Sequence, residues 1–265
     1  MRIPFTQVDA FADAAFAGNP AAVMPLSDWL PDDMLLAIAR ENNLSETAFF
    51  LPDETGAADF ELRWFTPGGE VALCGHATLA SGHVVLQSDT ARDRVTFRTR
   101  RSGLLEVARA DAGYRMALPA WAPAPRPLPT LVAALGVHGV VETLFHDSGY
   151  ALVVVDDEAT VRSAAPDMSA VAAEGDWVAI VAARGADTDI VSRVFVPAFG
   201  IDEDPVTGSA HAVMVPYFAG VLGRATMTAY QASARGGRLG CELAGDRVIL
   251  IGDCVTVIEG SFLLP

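Results

Sequence analysis

The sequence predicts an α+β protein made of two similar halves, and three observations lead there. Arg63-Trp64-Phe65-Thr66-Pro67 returns as Arg193-Val194-Phe195-Val196-Pro197. Phe16-Ala17-Gly18-Asn19-Pro20-Ala21-Ala22-Val23 is echoed by Phe145-His146-Asp147-Ser148-Gly149-Tyr150-Ala151-Leu152-Val153, and Arg63/Arg193, Phe65/Phe195 and Ala21/Ala151 all share one offset of 130 positions. After each Arg-x-Phe-x-Pro comes an acidic turn and a small-residue helix start, Glu70…Leu73-Cys74-Gly75-His76-Ala77 and Asp204-Pro205-Val206-Thr207-Gly208-Ser209-Ala210. Two halves of one fold would hold a ligand in the cleft between them, under two facing helix N-termini.

The elements follow in order. Arg2 to Phe11 alternates apolar and polar residues and reads as a strand. Gly18-Asn19-Pro20 is a turn and Ala21 to Pro25 a short buried strand. Pro31-Asp32-Asp33 opens a helix with Met34, Leu35, Ile38 and Ala39 at helical spacing. Glu46 to Leu51 and Phe60 to Phe65 are strands, and Gly75 to Leu86 an apolar helix. Val95 to Phe97, Leu104 to Ala108 and Tyr114 to Leu118 suggest an antiparallel sheet with tight turns.

The stretch 119–129 holds Pro119, Pro123, Pro125, Pro127 and Pro129, which a helix or central strand does not tolerate. It reads as a stiff linker. The expected division is therefore an N-terminal half at 1–118, the linker at 119–129 and a C-terminal half at 130–253. In the second half a helix spans Pro129 to Leu135, followed by strands Val140 to Leu144 and Ala151 to Val155. A helix at Ala170 to Glu174, strands at Trp177 to Ala182 and Asp189 to Val196, and a helix from Gly208 to Leu222 complete the repeat. Strands with one central helix per half are an α+β pattern.

Composition narrows function. The 265 residues carry 33 acidic and 18 basic side chains, for a net charge of −15. Scattered acids favour solubility and repel phosphate backbones, so no nucleic-acid partner is expected. No apolar run approaches the roughly 20 residues of a membrane span. No signal-peptide pattern opens the chain, so the cytoplasm is the expected compartment. All 18 basic residues are arginine. Without lysine there is no pyridoxal phosphate Schiff base, no P-loop and no kinase site. Cys74, Cys241 and Cys254 form no Cys-x-x-Cys, and the five histidines lack metal-ligand spacing with acidic partners, so no metal is expected.

A few residues could carry chemistry. Free N–H groups at a helix start bind anions, and Gly75 and Gly208 remove bulk there; the plainer reading is two close-packed, capped helix starts. Glu46 heads an otherwise apolar strand. A carboxylate desolvated in such a place can take and give a proton near neutral pH; otherwise Glu46 is an exposed strand end. Trp177 lies near its equivalent in the second half, so the halves would be chemically unequal. His76 could donate to a carboxylate or be satisfied in the core. Asp204 could orient a substrate amine or simply make a turn before Pro205. Ser209 could bind substrate or cap the helix. His211, one turn on, reads as structural. Gly208-Ser209 lacks a nucleophile-elbow pattern, so a serine hydrolase is not supported.

Taken together these motifs resemble the phenazine-biosynthesis isomerase family (PhzF-like), which shares the diaminopimelate epimerase fold. The matching pieces are Val8-Asp9-Ala10-Phe11…Gly18-Asn19-Pro20-Ala21-Ala22-Val23, Asn43-Leu44-Ser45-Glu46-Thr47-Ala48-Phe49, the run from Arg63 to Ala80, and Asp204-Pro205-Val206-Thr207-Gly208-Ser209-Ala210-His211. They span nearly the whole chain in family order. The resemblance implies two pseudo-symmetric epimerase-like halves, each a barrel-like, mostly antiparallel sheet around a central helix. It implies that the last strands, about 254–265, return to complete the first half. It implies a homodimer, no cofactor, and a proton moved by Glu46 within a small carboxylate or amino-acid-like substrate. His76 and Asp204 fall on supporting catalytic positions, and Ser209, Gly75, Gly208 and Asn19 on substrate-binding ones.

One departure bears on mechanism. Epimerases of this fold use two facing cysteines, and here Cys74 stands at the first position while Thr207 falls at the second. A two-thiol racemase is therefore not expected. A one-thiol epimerase or dehydratase using Cys74, or a non-catalytic small-acid-binding protein, are the alternatives.

Overall fold

The computed structural model describes residues 1–264. They fall into two compact units, Met1–Ala117 with the residues from Ile251 on, and Leu118–Leu250.

The first unit holds β1 (Arg2–Ala10), β2 (Asn19–Pro25), β3 (Glu46–Pro52), β4 (Phe60–Thr66), β5 (Gly69–Val71), β6 (Arg94–Thr99), β7 (Leu104–Arg109), the start of β8 (Tyr114–Pro119), and the chain's last strand, β18 (Cys254–Leu263). β18 lies antiparallel to β1 over almost its whole length. From β1 the sheet runs antiparallel to β2, parallel to β3, antiparallel to β4, parallel to β6, then antiparallel to β7 and β8. Each parallel step is bridged by a helix, as a crossover requires. Helix α1 (Asp32–Asn42) bridges β2 and β3, and α2 (Gly75–Ser88) bridges β4 and β6.

The two helices are buried to different degrees, as their sequences dictate. α1 buries one stripe, Leu35, Ile38 and Ala39, which joins Ile3, Met24, Phe49 and Phe65 in a core cluster. Asp32 and Asp33 sit in its first turn, where the helix dipole favours acids, and left-handed Asn43 ends it. α2 is apolar on all sides, and every residue from Gly75 to His83 is buried. It touches β1, β2, β3, β6, β7 and β18, so the sheet wraps around it. Gly82 permits this closeness, because a Cβ there would lie 2.4 Å from Val107 Cγ1 of β7.

The second unit repeats the order. β9 (Ala124–Pro125) pairs antiparallel with β10 (Val140–His146), which follows α3 (Pro129–Leu135). β11 (Tyr150–Val155), β12 (Val178–Ala183) and β13 (Ile190–Val196) continue the sheet through antiparallel, parallel and antiparallel steps. β14 (Ile201–Glu203) folds back on β13, and α6 (Gly208–Leu222) crosses over to β15 (Thr226–Gln231), parallel to β13. β16 (Gly237–Ala244) is antiparallel to β15, and β17 (Arg247–Gly252) ends the unit's share of the chain. The proline-rich stretch 119–129 belongs to this unit, where β9 hydrogen-bonds to β10.

Where α1 stands in the first unit, the second has α4 (Glu158–Ser163) and α5 (Met168–Ala173). The sequence reading missed α4 and began α5 two residues late. Asp caps define both: Asp157 Oδ1 accepts from Thr160 N at 2.7 Å and Asp167 Oδ1 from Ala170 N at 3.1 Å. With α3 they cover buried Ala151, Val153, Ala179, Val181 and Phe195. α6 runs unbroken through Pro216. Proline has no N–H for the Ala212 carbonyl four residues back. Trp121 N–H takes that carbonyl instead, at 3.0 Å. Among the described residues no helix is long and apolar enough to cross a membrane.

Candidate functional site

Three elements of the first unit converge on the N-terminus of α2. Cys74 is its N-cap, His76 its second residue, Glu46 the first residue of β3 and Asn19 the first of β2. β2 and β3 pair in register, Ala21 opposite Glu46, so their leading ends arrive together. His76 links the set. Its Nε2 lies 2.9 Å from Glu46 Oε2 and its Nδ1 3.2 Å from Asn19 Nδ2, while Cys74 Sγ lies 3.5 Å from Nδ1. Apart from the His76 contact, buried Glu46 Oε2 has no hydrogen-bond partner among the described residues.

The electrostatics follow from burial. Cys74 is 6% exposed. Desolvation, reinforced by the Glu46 carboxylate, pushes its thiol up to about 11, so it stays protonated at neutral pH. Burial alone would lower His76, but the Glu46 carboxylate against its Nε2 outweighs it and raises the imidazole well above its ordinary value. The ring is thus an imidazolium or a strong Nε2–H donor aimed at a carboxylate.

The loop that delivers Asn19 is held from within. Buried Asp9 accepts the Phe16 N–H at 2.7 Å. Phe11 and Phe16 adopt positive φ of 56° and 72°, which costs energy in residues other than glycine. At Gly18, with φ of 65°, a Cβ would run into the Ala10 carbonyl oxygen, so glycine is required. Asp9 stands in the motif Val8-Asp9-Ala10-Phe11, but its bond to Phe16 and this strain leave no pattern of their own in the sequence.

The second unit's helix start is built differently. Thr207 is the N-cap of α6, Gly208 its buried first residue and Ser209 half-buried. Thr207 Oγ1 donates to Asp204 Oδ2. Gln231, wholly buried at the end of β15, accepts from Thr207 N at 2.8 Å and donates to the Asp204 carbonyl at 2.7 Å. Gln231 escaped the sequence reading. Its trace was the period-two inward row Met227, Ala229, Gln231, in which a polar residue occupies a core position. His211 is fully buried and bonds the Thr207 carbonyl through Nδ1 at 2.8 Å, so it is structural.

Two sequence expectations need correction. Ala151 pairs with Ala179 as Ala21 pairs with Glu46, so the counterpart of Glu46 is Ala179, not Trp177 two residues earlier. The histidines do not all lack metal-type neighbours, because Glu46, Cys74 and His76 bring donor atoms within 4.8 Å of one another. Spacing along the chain could not reveal this, since β3 and α2 meet only in the fold.

Comparison with known proteins covers the whole chain. The family model PhzC-PhzF, described as phenazine biosynthesis-like protein, matches residues 8–260. A protein of Pseudomonas aeruginosa named an uncharacterised isomerase is 46% identical, with 100% of both chains covered. The crystal structure of a phenazine biosynthesis protein of the PhzF family from Enterococcus faecalis is 43% identical and superposes with a TM-score of 0.92 over 100% of both chains. A hydroxyproline epimerase from Agrobacterium vitis, 12% identical, shares the fold at a TM-score of 0.61, over 98% of this chain and 92% of its own.

Proposed function

We propose an activity from one premise: this chain belongs to the PhzC-PhzF family of phenazine biosynthesis-like proteins. Its relatives support an isomerase in general. The reading advanced here is a cofactor-independent isomerase that moves a proton within a small carboxylate or amino-acid-like substrate. The observation that carries it is the buried contact of 2.9 Å between Glu46 and His76 at the start of α2.

In this reading Glu46 takes a proton from the substrate carbon and returns it to another position, so no atom is gained or lost overall. His76 fixes Oε2, which leaves Oε1 for the substrate. The imidazole steadies the carboxylate as an anion before the first transfer and after the second; between them Glu46 is the neutral acid that holds the proton. Backbone N–H groups at Gly75, supported by the α2 dipole, would hold the substrate carboxylate. Asn19 orients the His76 ring rather than acting on substrate alone. Asp204, as a supporting catalytic residue, and Ser209 and Gly208, as substrate-binding ones, enter the proposal from family resemblance.

A thiol base at Cys74 is the second reading, favoured by its 3.5 Å contact with His76. Against it stands a thiol held up at about 11. The test is a panel of small carboxylates incubated with the protein in deuterated water. Label entering an exchangeable carbon of one of them supports the proposal. Specific binding of such an acid with no label in any would favour a binding protein instead.

A further inference from the structure

The start of α2 gathers one hard and two softer donors: the Glu46 carboxylate, the His76 imidazole and the Cys74 thiol, all within 4.8 Å of one another. His76 Nε2 is 2.9 Å from Glu46 Oε2 and 4.0 Å from Cys74 Sγ. Tetrahedral zinc binds sulfur at about 2.3 Å and nitrogen or oxygen at about 2.0–2.2 Å, which sets ligand atoms about 3.4–3.6 Å apart. The two observed separations bracket that spacing, each off by roughly half an ångström. Small side-chain rotations close such a gap. The helix start fixes the Cys74 and His76 backbones, so two ligands are already on a rigid element.

We infer that Glu46, Cys74 and His76 form a binding site for a zinc ion, with a fourth position open to water or a small acid. A single carboxylate among thiol and imidazole donors suits zinc or cobalt and is too poor in oxygen for magnesium or calcium. Binding forms the Sγ–metal and Nε2–metal bonds as the thiol proton leaves to solvent and the Nε2 proton moves to Nδ1, or to solvent where Nδ1 already carries one. The imidazole binds through Nε2 and carries its proton on Nδ1, against Asn19, whose amide turns to accept it. The ion occupies the Glu46 carboxylate, so zinc is an inhibitor. That consequence rests on Glu46 being the proton carrier; the site itself does not.

The experiment uses the full chain without substrate. Cobalt(II) is titrated in while the thiolate-to-cobalt charge-transfer absorption is followed, and zinc is then added in competition. One equivalent of cobalt should saturate the band and zinc should abolish it. Cys74→Ser should lose the band and bind zinc more than about tenfold more weakly. If Cys74→Ser does not fold, a variant combining Cys241→Ser and Cys254→Ser decides, because it keeps only the Cys74 thiol and should keep the band. No band in the wild type, a band surviving in Cys74→Ser, or a band lost in the double variant overturns the site. Deuterium exchange that proceeds unchanged in saturating zinc overturns inhibition while leaving the metal site standing.

Discussion

The two units carry the same framework and different chemistry. In each, an arginine from the repeated Arg-x-Phe-x-Pro clamps a glutamate on the following short strand through two parallel bonds. Arg63 Nε and Nη2 lie 2.8 and 2.9 Å from the Glu70 carboxylate, and Arg193 Nε and Nη2 both 2.8 Å from Glu203. The counterpart of Glu70 is therefore Glu203, one residue before Asp204. In each central helix the side chain four residues after the N-cap caps that residue's carbonyl: Thr78 reaches Cys74 O at 2.5 Å and His211 reaches Thr207 O at 2.8 Å. Beyond these shared supports the sites diverge. The first unit surrounds its helix start with Glu46, His76 and a thiol. The second has Ala179, Ser209 and a threonine tied to Asp204 and Gln231. Among the described residues, the repeated scaffold carries the clustered carboxylate, imidazole and thiol in one copy only.

The clamps separate most clearly. Arg63 is 1% exposed and also bonds Asp32, whereas the Arg193 side chain is 17% exposed. Removing one partner of a buried ion pair strands the other, at a cost of about 3–5 kcal/mol. Arg63→Ala should lose that much in thermal or urea unfolding and Arg193→Ala less, because the Arg63 guanidinium is the more buried and bonds a second carboxylate, Asp32, while the two stranded glutamates are similarly exposed at 18% and 20%. Equal losses would show that the clamps do not differ as their burial says.

Acid should expose a feature the units share. Burial pushes His83 of the first unit and His211 of the second down to about 4, with the Arg109 charge assisting at His83. Both stay neutral in the folded chain while the unfolded chain binds protons below its ordinary histidine range near 6.5. Their contribution is complete above that value and is lost as pH falls from about 6.5 through 4, by about 3 kcal/mol each. Unfolding free energies at pH 7 and pH 4.5 should show this slope, and His211→Gln, which keeps a donor for Thr207 O, should flatten it. An unchanged slope in that variant would mean His211 is not held neutral.

Smaller effects sharpen the contrast at the helix starts. Gln231→Leu removes the bonds to the Thr207 N–H and to the Asp204 carbonyl and should cost about 1–3 kcal/mol. Cys74→Ala should fold and keep its rate of isotope exchange within a few-fold, since a thiol raised to about 11 takes no proton at neutral pH. Inactivation of that variant would move the chemistry from the carboxylate to the thiol.

The sequence exposed the framework because repeats and periodicity write it locally. The apolar run of α2, the gap between Arg63 and Arg193 and the small residues at Gly75 and Gly208 are all visible in one line of text. α4 was not, because six residues give too short a stripe and its only mark is the Asp157 cap. Within the site, resemblance pointed to Glu46 and His76, but their contact joins residues 30 positions apart on different elements and no spacing rule predicts it. The same holds for Gln231, whose partners Asp204 and Thr207 lie on the far side of α6 in sequence.

The claim that one unit carries the proton rests on Glu46, and solvent isotope exchange tests it most directly. Wild type and Glu46→Gln are compared in deuterated water with a carboxylate that the wild type labels. Glutamine keeps the shape and a hydrogen bond but cannot take the proton, so exchange should fall by about 10²- to 10⁴-fold while the fold and acid binding persist. Exchange by Glu46→Gln at close to the wild-type rate would contradict the account.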